Sequence, residues 1–191
     1  MQGGAERERE AQAMYNAVLR TKPDDIGLVA VASNNLITLN REGNIFDSKK
    51  RIKAATADGL ENKLTSQHRF AIARNNALLA MYTNQVDLCR TLVAELGDHF
   101  GIDTKDKDMI AAGALARAGR TEEAVLALLK NGSDDLERVL TATPIYLEKQ
   151  DLESAATILE KLPAGHGKHS APPVLNVPAK QGTHLSFSGD G

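Results

Sequence analysis

Four times along this chain a turn-tolerant residue is followed five positions later by a small residue and four positions after that by an apolar one. The sets are Gly43, Ser48 and Ile52; Asn84, Cys89 and Val93; Gly119, Ala124 and Leu128; and Gln150, Ala155 and Leu159. Such a pattern suits a pair of antiparallel helices. The turn residue closes the first helix, the small residue lets the second approach it, and the apolar residue one turn on packs into the hairpin. A further packing residue stands four positions before each turn, at Leu39, Ala80, Leu115 and Tyr146. The small residues lie 41, 35 and 31 positions apart (48 to 89, 89 to 124, 124 to 155), which brackets the roughly 34-residue period of tetratricopeptide repeats. A single hairpin cannot bury its own apolar face, so such units must stack.

The fold class expected is therefore all-α, a tetratricopeptide-like solenoid of helical hairpins. Aromatic residues make up only 4% of the chain and Trp is absent, a balance that favours closely packed helices over sheets. Helices are predicted over residues 5–22, 25–41, 45–55, 65–83, 86–96, 105–118, 121–130, 134–148 and 151–162. Ala11, Tyr15, Val18 and Pro23 have the spacing of a repeat's second helix alone, so the repeat domain, 5–162, starts in mid-repeat. This predicts that the protein continues upstream or that another surface covers Tyr15 and Val18. From Pro163 onward, four of the six prolines and five glycines fall within 29 residues, and 163–191 is expected to be a disordered Pro/Gly-rich tail.

Several function classes fall away. The formal net charge is −2, so bulk electrostatics do not draw the chain to phosphate backbones. Cys89 is the only cysteine, which excludes an internal disulfide and a cysteine-clustered zinc site. At the small-residue position of a hairpin it reads as packed rather than nucleophilic. His166 and His169 have a chelating spacing only on a helix, and none is expected there, so no metal site is assigned. No phosphate-binding glycine loop, nucleophile elbow or paired-histidine helix occurs, so neither an enzyme nor a cofactor nor a small-molecule substrate is expected. Asn131, Gly132 and Ser133 read as the turn between two helices. Neither a signal-peptide core nor a membrane-spanning run is present, and the chain reads as cytosolic without membrane insertion.

Between Asp25 and Leu92 the sequence carries more individual detail than spacing alone. The runs Gly27-Leu28-Val29-Ala30-Val31-Ala32-Ser33-Asn34-Asn35-Leu36-Ile37-Thr38, Asn44-Ile45-Phe46-Asp47-Ser48-Lys49-Lys50 and Asn76-Ala77-Leu78-Leu79-Ala80-Met81-Tyr82-Thr83-Asn84-Gln85 resemble the 72-kDa subunit of signal recognition particles. The resemblance implies a scaffold whose amino-terminal repeats hold the particle's 68-kDa subunit. It also implies peripheral association with the endoplasmic reticulum and a part in cotranslational targeting. In that family a lysine-rich segment near the carboxyl end contacts the particle's RNA. This chain lacks such a segment, so RNA contact is expected to be indirect. A generic tetratricopeptide adaptor or chaperone-tail receptor is the alternative.

The first helices of the hairpins should line the concave surface, where repeat proteins take an extended peptide. By helical phase the partner-binding candidates are Ser33, Asn34, Ile37, Asn40 and Arg41 in one repeat and Arg74, Leu78, Met81 and Tyr82 in the next. For Asn34 and Asn35, in an apolar run, a clamp on a partner's backbone competes with a hydrogen bond to a neighbouring helix. Lys49, Lys50, Arg51 and Lys53 form a basic run on a second helix. A solvated face is its default reading, and it is the candidate RNA or ribosome contact.

Overall fold

The computed structural model describes residues 2–162, and every element in it is helical: α1 (Gln2–Arg20), α2 (Ile26–Asn40), α3 (Ile45–Ala55), α4 (Ser66–Tyr82), α5 (Val86–Phe100), α6 (Thr104–Arg117), α7 (Thr121–Leu129), α8 (Leu136–Glu148) and α9 (Leu152–Leu159). The tail expected over 163–191, including His166 and His169, lies outside the described residues. None of these helices is long and apolar enough to cross a membrane. Six helices start on a side chain that accepts hydrogen bonds from first-turn amides: Asp25, Asn44, Thr65, Asp103, Asp135 and Asp151. These caps satisfy donors that the helix itself cannot, and they set where each element begins.

Three of the four turn residues close their hairpins in the same way. Asn84, Gly119 and Gln150 have φ of 56°, 79° and 61°. The Asn84 amide donates to the Met81 carbonyl (3.1 Å) and the Gln85 amide to that of Ala80 (3.0 Å). The same pair runs from Gly119 and Arg120 to Ala116 and Leu115, and from Gln150 and Asp151 to Leu147 and Tyr146. This is the double bond of a Schellman close, and Ala80, Leu115 and Tyr146 are its distal acceptors. The first hairpin departs from the pattern. Its connection is one residue longer, and the positive φ (48°) falls on Arg41 rather than on Gly43.

Ser48, Cys89, Ala124 and Ala155 are all buried, at 0, 0, 0 and 3% exposure, so each second helix does approach its partner at the small residue. The apolar residue one turn later is buried in the middle hairpins, as Val93 and Leu128. In the last hairpin Ile158 takes the core position and Leu159 is exposed. Helix α5 also runs four residues past the expected end at Leu96. It passes through Gly97 because Phe100 packs edge-on against Phe70, with ring centroids 5.6 Å apart, and Gly101 at φ 66° then ends it.

Hairpin stacks on hairpin through three apolar clusters. One gathers Ala30, Ala55, Leu60, Leu64 and Ile72, the next centres on Ala77, Cys89, Val93, Leu96 and Ala114, and the third on Leu115, Ala124, Leu128, Ala142 and Ile158. Helix α6 serves the second cluster with Ile110 and Ala114 and the third with Ala112 and Leu115. Helix α2 packs on α4, α4 on α6 and α6 on α8, whereas the backbones of α3, α5, α7 and α9 do not approach one another. A layer whose helices touch, joined to one whose helices are splayed, curves toward the touching side. The first helices therefore form the inner, concave face. Between α3 and α5 the splay leaves an outer apolar cleft of about 280 Å³, into which the 56–65 connection inserts Leu60 and Leu64.

Adding three heavy atoms at the fully buried small residue of the α6/α7 hairpin should overpack it. Ala124→Leu is expected to cost about 1 to 3 kcal/mol and lower the melting temperature; an unchanged melting temperature would mean that α6 and α7 are not in close contact there.

Candidate partner-binding surface

Counting back from each turn residue gives the composition of the inner face. Two, six and ten positions before Asn84 stand Tyr82, Leu78 and Arg74, and the same offsets from Gly119 give Arg117, Gly113 and Met109. Offsets of two and six from Gln150 give Glu148 and Pro144. These residues line two adjoining depressions. A cleft of about 110 Å³ between α2 and α4 is bounded by Ile37, Thr38, Arg41, Arg74, Leu78 and Tyr82. A shallower trough across α4, α6 and α8 is lined by Met81, Met109, Gly113, Arg117, Thr141 and Ile145, with Glu148 at its edge. A Cβ on Gly113 would lie 2.8 Å from the Met81 sulfur, so a larger residue there would push that flexible thioether from its place on the floor between α4 and α6.

The structure thus brings together Ile37, Arg41, Arg74, Leu78 and Tyr82 in one cleft and places Met81 in the next. The α6 and α8 residues of this face were not singled out from the sequence. Applying the Tyr82, Leu78 and Arg74 offsets to the two following turns would have found most of them.

Three other expected positions are corrected. Ser33 and Asn34 are buried between hairpins and present no surface to a partner. The Asn75 amide donates to Asn34 Oδ1 (2.9 Å) and to Thr38 Oγ1 (2.8 Å), joining α4 to α2. An amide so placed is costly to leave unpaired, and its role is to fix the register of the two inner helices. Asn40 donates to Asp47 Oδ2 (3.0 Å) and Ser48 Oγ (3.3 Å) and accepts from Gln12 Nε2 (3.2 Å), so it ties α2 to α3 and α1.

The basic run divides in the same manner. Arg51 turns inward, pairing with Asp47 and donating to Asn16 Oδ1 of α1 (3.0 Å), and its side chain is only 18% exposed. Its i, i+4 relation to Asp47 was the available sign of that role. Lys49, Lys50 and Lys53 are exposed, and Lys50 Nζ sits 4.2 Å from the centroid of the exposed Phe46 ring. Burial alone would raise the Asp47 carboxyl, but hydrogen bonds from Arg51 and Asn40 and the nearby cations outweigh it and hold the group below its ordinary value of 3.8.

The electrostatics of the inner face are set by arginines. The Arg117 guanidinium lies 5.4 Å from the Tyr82 ring centroid, and Arg41 and Arg74 share Tyr82's cleft. Arg41 pairs with Glu8 of α1 (2.9 Å) and Arg117 with Glu42 (3.0 Å), both across exposed ion pairs. Pairs so exposed are worth about 0 to 1 kcal/mol and exchange readily. Arg74 has no carboxylate within 4.0 Å among the described residues. What this face exposes is cation, aromatic and thioether surface.

No protein-family profile matches the chain. It is similar to signal recognition particle subunit SRP72 of Homo sapiens, 37% identical over 161 residues that make up 82% of this chain and 24% of that protein. Over 82 residues, 43% of this chain and 12% of the relative, it is 48% identical to the Schistosoma mansoni SRP72. With the Caenorhabditis elegans SRP72 it shares 30% over 169 residues, 88% of this chain and 26% of the relative. The match therefore spans about a quarter of the length of the human and Caenorhabditis elegans relatives.

Asp47→Asn should destabilise the α1–α2–α3 junction by about 1 to 3 kcal/mol at neutral pH, because Arg51 and Asn40 lose a charged acceptor. A depressed folded-state value contributes stability that is present above the ordinary value and lost as the pH falls through the depressed one. Melting curves of the two proteins should accordingly converge in that acid window. A gap that stays constant down to pH values well below 3.8 would contradict this assignment of the Asp47 charge.

Proposed function

The chain belongs to the family of signal recognition particle SRP72 subunits, and from that premise we propose that it is a protein-binding scaffold of the particle, holding the 68-kDa subunit along its concave face. The observation that carries this reading is the inner face of α2, α4, α6 and α8, where Arg74 is exposed, Tyr82 is half-buried, and Leu78, Met81, Met109 and Ile145 pack one side against the hairpin cores and line the two depressions with the other. On this reading the chain acts by contact rather than catalysis. It supports cotranslational targeting by keeping particle subunits together, and it meets the endoplasmic reticulum only through the particle. The repeat domain occupies residues 5–162.

RNA enters this scheme indirectly. With net charge −2 and Arg51 committed to Asp47, the exposed cations of the basic run are Lys49, Lys50 and Lys53. Phosphate neutralisation supplies most non-specific affinity and requires a larger cluster than that.

A pull-down of the full 191-residue chain with full-length 68-kDa subunit from the same source should retain the subunit. Met109→Ala, which removes thioether surface from the trough without burying a charge beside the third cluster, should weaken retention by about 1 kcal/mol or more, while Leu126→Ala on the exposed outer side of α7 should not. No retention by a folded chain, or equal loss in both variants, would contradict the reading. In a gel-shift titration across salt concentrations, the chain should bind the particle's RNA no better than unrelated RNA. Tight, salt-sensitive binding abolished by replacing Lys49, Lys50 and Lys53 with Gln would assign that face to RNA instead.

A further inference from the structure

We infer that the segment seated on this concave face is a protein chain carrying an internal Asp or Glu beside an apolar residue. The acid meets Arg74, Arg41 and Arg117 around Tyr82, and the apolar group lies on the Met81, Met109 and Ile145 floor. The inference rests on the reading above that the inner face takes a partner protein, and it adds the chemistry and polarity of that partner.

Charge complementarity carries the acidic half. Arg74 is exposed at the mouth of the α2/α4 cleft without a carboxylate partner among the described residues. Arg41 lines the same cleft as Tyr82 and Arg117 sits by the Tyr82 ring, each tied only to an exposed carboxylate, Glu8 and Glu42. An incoming carboxylate can take a bidentate bond from Arg74 and compete for the other two guanidinium groups. The polar amides that could otherwise read a peptide here are spent, Asn75 on Asn34 and Thr38, and Asn40 on Asp47 and Ser48. Arginine therefore sets the recognition.

This also separates the face from a receptor for a terminal carboxylate. Such a receptor gathers Lys, Arg and Asn side chains on one terminal carboxylate, whereas here the Asn75 and Asn40 amides are spent within the fold and an apolar trough lies over the neighbouring helices. The trough supplies the apolar half. Its floor is thioether and branched aliphatic surface, adaptable and suited to Leu, Ile, Phe or Met. The cleft and the trough are displaced by one inter-helix step, about 8 to 10 Å, which corresponds to about three residues of extended chain. A nucleic acid fits less well. Two of the three arginines already have carboxylate neighbours, Glu148 borders the trough, and the floor carries no further cation.

The test uses the full-length chain and a display library of random 12-residue peptides with amidated carboxyl ends, so that its outcome does not depend on the 68-kDa subunit. Enriched peptides should carry an Asp or Glu about three residues from an apolar side chain. Their binding should fall roughly tenfold or more with Arg74→Glu, as expected for loss of a charge-assisted bond. It should be regained in Arg74→Glu by peptides whose acid is replaced by Arg. Ile145→Ala, which shortens the trough floor without placing a charge against the third cluster, should weaken binding of the same peptides with the circular-dichroism helix signal unchanged. Enrichment of peptides without an acid, binding that requires a free terminal carboxylate, indifference to Arg74→Glu, or displacement of bound peptide by unrelated single-stranded RNA would each overturn the inference. Should the 68-kDa subunit fail to bind while the acid and apolar pattern is recovered, the choice of partner falls and this chemistry stands.

Discussion

Each inner helix of this solenoid has to bury two faces at once, and nearly every other feature follows from that requirement. Helix α6 places Ile110 and Ala114 against one hairpin and Ala112 and Leu115 against the next. A helix committed on two sides has only a narrow strip left for solvent. On α4 and α6 that strip is the line two, six and ten residues before the turn, where Tyr82, Leu78, Arg74, Arg117, Gly113 and Met109 stand. The proposed partner surface is what remains of the inner helices once packing has taken its share. The outer helices are freer, and exposed apolar residues such as Leu126 and Phe46 are scattered over them.

Polar interactions in the molecule are of two kinds, separated by burial. Between packed helices sit Asn75 on Asn34 and Thr38, and Arg138, itself buried, on Asp108 of α6 and the Leu128 carbonyl of α7 at 2.8 and 2.7 Å. No buried side-chain polar atom among the described residues lacks a partner. Such bonds add little net stability, but losing one partner is costly, so they select one register for the stack. The ion pairs Arg41 with Glu8 and Arg117 with Glu42 are exposed, contribute little to the fold and leave their arginines open to exchange.

The hairpin architecture was legible in the sequence because it depends on short-range rules. A residue tolerant of positive φ, a small residue and an apolar residue each leave a local mark, and the four small residues are buried as their spacing required. Helix ends were less legible. Phe100 extends α5 through Gly97 by a contact with Phe70, thirty positions away, that no local pattern encodes. The groove was legible only in part. Ile37, Arg41, Arg74, Leu78, Met81 and Tyr82 fall on it, but Ser33, Asn34 and Asn40 share a helical phase with exposed residues and are consumed by packing. Helical phase gives the side of a helix but not which neighbour reaches that side, and Asn75 and Ser48 come from other helices.

The central claim is that a partner protein lies on the inner face, and the methionines allow it to be tested directly. Met81 and Met109 line the trough, whereas Met14 is exposed on α1 away from it. With 13C-methyl methionine in the full chain, titration of the 68-kDa subunit should shift or broaden the Met81 and Met109 resonances and leave Met14 unmoved. Binding that perturbs Met14 while the Met81 and Met109 signals stay in place would contradict the account.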